Sequence, residues 1–76
     1  MTRLPVISHR KVIAALKRGG FFELPGGGRG SHHVLYHPND PDALVTVPHH
    51  KEIKRGTLHS ILESARLSRE EFLDLL

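Results

Sequence analysis

Residues 30–37 read Gly-Ser-His-His-Val-Leu-Tyr-His, three histidines in eight positions, directly behind the run Gly26-Gly27-Gly28-Arg29. Imidazole has an unperturbed pKa of about 6.5, which leaves its acid and base forms both populated near neutrality and suits it to proton transfer. Together with His49 and His50 the same histidines could also ligate zinc or nickel. Strand geometry separates the two chemistries. Successive side chains alternate, so His32, Val34 and Tyr36 share one face while His33, Leu35 and His37 share the other. If Leu35 enters the core, His32 and Tyr36 stand on the open face, at the mouth of the glycine-rich turn. Adjacent strand histidines point apart, and no H-E-x-x-H motif is present to hold a metal on a helix. No metal or other cofactor is therefore expected, and His33 and His37 are expected to be edge or packing residues.

The elements that must position these side chains follow from periodicity. Val12, Ile13 and Leu16 fall at helical spacing, which predicts a first helix over 8–17 with Ser8 as its cap and Gly19-Gly20 as its stop. Phe21 to Leu24 suits a short strand, residues 32–37 a second, and Leu44 to Val47 a third that Pro48 ends. The segment 37–42, His-Pro-Asn-Asp-Pro-Asp, reads as the turn between the second and third. Leu58, Ile61, Leu62 and Ala65 then form a helical stripe with Thr57 as a cap. Ser68 and Glu71 make a capping box for a last helix whose Phe72, Leu75 and Leu76 continue the apolar stripe. The order α-β-β-β-α, with a short extra helix, predicts an α+β fold in which a three-stranded antiparallel sheet carries helices on one face.

Composition narrows the function. A chain of 76 residues, 38% hydrophobic, supports one domain, spanning 1–76, around one modest core. It has no Cys, which excludes a disulfide framework or a thiolate zinc site. It lacks an apolar run long enough to cross a bilayer and an export signal, so it reads as soluble and cytoplasmic, with no membrane partner. Its net charge of +3 favours a polyanionic partner. Lys51, Lys54 and Arg55 cluster ahead of the second helix, and Arg29 lies in the glycine-rich turn. No Gly-Lys-Ser/Thr follows those glycines, so they read as a hairpin connection in preference to a nucleotide-phosphate loop.

Several stretches together resemble the HicA toxin family: Gly30-Ser31-His32-His33, Val45-Thr46-Val47-Pro48-His49, Gly56-Thr57-Leu58 and Ser68-Arg69-Glu70-Glu71-Phe72. They occur in the family's order at nearly its spacing, from Ser8 to Leu76. The resemblance implies a double-stranded-RNA-binding-domain-like fold, an mRNA-cleaving toxin and a HicB-type antitoxin partner. It also implies that activity depends on the histidine after Gly-Ser, which is His32. The chain departs from the family by about two extra residues between Gly20 and Gly30, by Arg66 in place of a common glycine, and by His50 in place of a common proline.

The chemistry can be stated for these residues. Metal-free RNA cleavage uses the neighbouring 2′-hydroxyl as nucleophile, so the protein must accept a proton, donate one and stabilise charge at phosphorus. His32 is the expected acid or base, with Arg29, Lys51, Lys54 and Arg55 to hold RNA phosphates and Tyr36 to hydrogen-bond or stack on a base. The alternative is a non-enzymatic RNA-binding module that needs the cations and not His32. A DNA-binding helix-turn-helix fits poorly, because strands occupy the middle of the chain.

Overall fold

A computed structural model of the chain describes residues 3–25 and 32–76; Arg29, Ser31 and the glycines at 26–28 and 30, with the hairpin connection expected there, lie outside the described residues. The elements are α1 (His9–Arg18), β1 (Phe22–Glu23), β2 (His32–His37), β3 (Asp40–Pro48), α2 (Arg55–Ala65) and α3 (Arg69–Leu75). The strands form an antiparallel sheet in the order β1-β2-β3, so the chain is α+β with the expected connectivity.

The alternation along β3 shows which side of the sheet is covered. Ala43, Val45 and Val47 are buried while Leu44 and Thr46 are exposed. Leu35 of β2 lies opposite Val45 and is likewise fully buried. These residues join Val12 and Leu16 of α1, Leu58 and Leu62 of α2 and Phe72 of α3 in one apolar cluster. Among the described residues, helices therefore cover one face only, and the other is open.

Local chemistry sets the boundaries. The Ser8 side chain accepts a hydrogen bond from the Lys11 amide and caps α1, and Lys17 and Arg18 in its last turn complement the helix dipole. Gly20 has φ +97°, and a Cβ there would approach His37 Nε2 to 2.8 Å, so both backbone and space demand glycine. Ser68 and Glu71 form the expected capping box, with bonds of 3.0 and 2.8 Å. Those bonds from Ser68 hold the Glu71 carboxyl below its ordinary pKa.

Four boundaries differ from the sequence expectation. β1 shrinks to Phe22–Glu23, because Phe21 turns into the core. β3 begins at Asp40, so the turn contracts to Pro38 and Asn39, where the Asn39 amide donates to His37 Nδ1 at 3.1 Å. The ladder is irregular between Leu35 and His37, and Pro41, which has no N–H to contribute, lies in that stretch of β3. α2 starts at Arg55 with Lys54 as its cap and no side-chain capping bond, so Thr57 is inside the first turn. Tertiary ties place that start: the Ile53 amide donates to the Ile7 carbonyl at 2.6 Å and Arg55 Nε to the Leu4 carbonyl at 2.7 Å. Leu76 is 44% exposed and does not continue the α3 stripe.

Arg66, at the end of α2, is held in the left-handed region at φ 59°, ψ 37°. A non-glycine residue there costs on the order of 1 kcal/mol. Its side chain returns little, since its contacts with Asp40 and Asp42 are 3.6 and 3.9 Å surface pairs. Arg66→Gly is expected to raise the melting temperature by several degrees, as ~1 kcal/mol does in a domain of this size. Thermal unfolding followed by circular dichroism checks this.

Candidate active site

The open face of the sheet is set by register. His32 pairs with Pro48, Val34 with Thr46 and Tyr36 with Phe22, and cross-strand partners share a face. His32 is exposed there, with Tyr36 on the same side. The Tyr36 and Phe22 rings lie 6.0 Å apart, and with Leu44 they give this face an exposed apolar area. His32 and Tyr36 are thus brought to one surface, as the strand alternation predicts.

The chain leaves β3 at Pro48, opposite His32, and passes directly into the segment that carries the cations. Lys51 and Lys54 are exposed in it. Arg55 differs from them, since its Nε bond to the Leu4 carbonyl uses one of the guanidinium's five donors to anchor the N-terminal segment. Arg29 lies outside the described residues.

The other histidines separate by environment. His37 packs edge-on against Phe21, with ring centroids 5.0 Å apart, and is a packing residue. His33 faces the helix side, 5.7 Å from the His9 ring and 5.5 Å from the His49 ring. The His9 and His49 rings are closer still, at 4.0 Å. His9 is 8% exposed, the buried polar residue of the described core. Sequence reading did not single it out. The signal was present, because His9 precedes Val12, Ile13 and Leu16 at the i, i+3, i+4, i+7 spacing of a buried stripe. His9 Nδ1 lies 2.9 Å from the His50 carbonyl, which can only accept, so Nδ1 carries the proton. The His49 imidazole has its pKa lowered, first by His9 and then by desolvation, His33, Arg10 and His50.

These three rings line a cleft of about 400 Å³ beside Arg10, Lys17 and Glu23. It lies on the covered side of the sheet, whereas His32 is on the open side, so His32 and this cluster of three histidines are in separate environments.

A small α+β domain with a basic segment beside an exposed strand histidine is the class that fold and site define. A protein-family profile described as HicA toxin of bacterial toxin-antitoxin matches residues 9–67 of the 76. The chain belongs to the HicA toxin family. A comparison with curated proteins gave no match. Among the described residues no helix is long and apolar enough to cross a membrane.

The Arg55 anchor can be tested apart from any RNA contact. Arg55→Ala leaves the Leu4 carbonyl without this donor and is expected to cost roughly 1–2 kcal/mol. Chemical denaturation should show a lower midpoint at unchanged slope, and Lys54→Ala, with no capping bond to lose, should stay near wild type.

Proposed function

We propose that this toxin is a metal-independent endoribonuclease that cleaves mRNA, with His32 as its general acid or base. The observation that carries the reading is the pairing of His32 with Pro48, which sets an exposed imidazole across from the point where the basic segment begins. A phosphate held by Lys51 and Lys54, and by Arg29 from the glycine-rich turn, has its charge offset as the 2′-hydroxyl attacks. His32 exchanges the proton with the attacking or leaving oxygen. Tyr36 and Phe22 supply aromatic surface on the same face for an unpaired base.

The same surface supports a reading of the partner. Belonging to a toxin family of toxin-antitoxin systems implies an antitoxin, and a HicB-type protein gains most by covering the open face. There its apolar residues meet Phe22 and Leu44 and its acids meet the lysines, while His32 is shut off from RNA.

His32→Ala is expected to remain folded, because an exposed strand position tolerates alanine within about 0.5 kcal/mol. Cleavage of RNA in the presence of chelator should fall on the order of 100-fold or more, with RNA affinity little changed. Full cleavage by the folded variant removes His32 from the reaction. Retained RNA binding with no cleavage by the wild type points instead to a binding module.

Salt dependence tests the cations. Each phosphate contact contributes about −0.7 to the log-log slope for single-stranded RNA, so a Lys51→Ala, Lys54→Ala double variant should flatten it by about 1.4. An unchanged slope would place the RNA path elsewhere.

A further inference from the structure

The cleft on the covered side of the sheet contains a chemistry that cleavage by His32 does not use. His9, His33 and His49 each offer a ring nitrogen, and these atoms all lie within 4.8 Å of one another. They come from the start of α1, from β2 and from the residue after β3, three segments far apart in sequence. We propose that His9, His33 and His49 form a three-imidazole site for a zinc-class divalent ion, which ties these three segments together.

The surrounding bonds prepare the donors. His9 Nδ1–H donates to the His50 carbonyl at 2.9 Å, so the nitrogen left with a lone pair is Nε2. His33 Nδ1 lies 3.7 Å from a Glu23 carboxylate oxygen, while its Nε2 is buried without a hydrogen-bond partner among the described residues. A metal-bound histidine usually has its second ring nitrogen held by a carbonyl or a carboxylate; His9 has the carbonyl, and the Glu23 carboxylate stands near His33 at 3.7 Å, just beyond hydrogen-bond distance.

The dimensions also fit. Zn–N bonds of about 2.0–2.1 Å in a tetrahedron place ligand nitrogens roughly 3.3 Å apart. Donor atoms lying within 4.8 Å of one another have to draw closer to reach that spacing, and His49, exposed and beyond the end of β3, is the member least held by an element. Three protein ligands leave a fourth position facing the cleft, where water completes the shell. Two nitrogens from one strand were never needed: the site draws one histidine from each segment, so the alternation that separates His32 from His33 does not forbid it.

This site is independent of the proposed cleavage, because His32 occupies the opposite face of β2. The test uses protein without an affinity tag, titrated with Co²⁺ and followed by visible absorption, then with Zn²⁺ in competition, with melting temperature recorded for each state. The expected result is one equivalent of Co²⁺, displaced by Zn²⁺, and a melting temperature several degrees higher with metal. His49→Ala, an exposed position, should weaken binding by at least the roughly 10–100-fold that losing an outer partner costs, and should abolish the thermal shift. Glu23→Gln should weaken it less. His50→Ala and His59→Ala should bind as wild type does. Failure of the wild type to bind one equivalent overturns the proposal, as does equal binding by His49→Ala. Binding that falls equally in His50→Ala and His59→Ala also overturns it, because it indicates scattered surface imidazoles. RNA cleavage that persists in chelator while melting falls is the joint expectation; loss of cleavage in chelator would contradict the metal-independent reaction and leave the binding result standing.

Discussion

The register of β2 against β3 is the constraint on which the rest of the molecule depends. With His33 opposite Val47 and Leu35 opposite Val45, every second residue of both strands is committed to the helices. A slip of one residue would turn Leu35, Val45 and Val47 outward. Each is fully buried, and each contributes roughly 1.5–3 kcal/mol by leaving water. Their combined loss approaches the whole stability of a small domain, about 5–15 kcal/mol. The core therefore specifies which histidine faces which way, and two neighbours of identical chemistry acquire opposite surroundings.

A second set of ties fixes what lies at the end of β3. Beyond Pro48 the chain is held by the His9 amide donating to the His50 carbonyl, by the Ile7 and Ile53 bridge and by Arg55 against Leu4. These bonds stitch the segment before α1 to the segment before α2. They leave Lys51 and Lys54 exposed in the segment that follows Pro48, and they bring His9 and His49 to the covered side. One short stretch of backbone thus serves both histidine environments, and the two surfaces remain distinct because β2 stands between them.

Much of the architecture was legible because the sequence repeats its signals locally. Val12, Ile13 and Leu16 mark α1, Ser68 and Glu71 announce α3, and the alternation around Leu35 orients His32 and Tyr36. Where reading failed, a distant contact outweighed a local preference. Thr57 is a reasonable cap by type, yet Arg55 and Ile53 are drawn into place by residues some fifty positions earlier and start the helix sooner. The length of β3 was hidden because its first residues, Asp40, Pro41 and Asp42, have turn chemistry. His9 shows the limit most clearly. Its stripe position was readable, but its convergence with His33 and His49 depends on the packing of α1 against the sheet, which no spacing in the chain encodes. Of the proposed cleavage site, the common face of His32 and Tyr36 follows from alternation along one strand, so that part could be read from sequence alone.

The central claim is that His32, and not its neighbour, meets RNA. Its most direct test is nitrogen-detected NMR of the histidine side chains in chelator, as an uncleavable RNA lacking 2′-hydroxyl groups is added. The account predicts progressive shifts of the His32 ring resonances, with those of His9 and His33 nearly stationary behind the sheet. Shifts concentrated on His33 and His9 with His32 unmoved would contradict it, and would move the RNA to the cleft on the covered face.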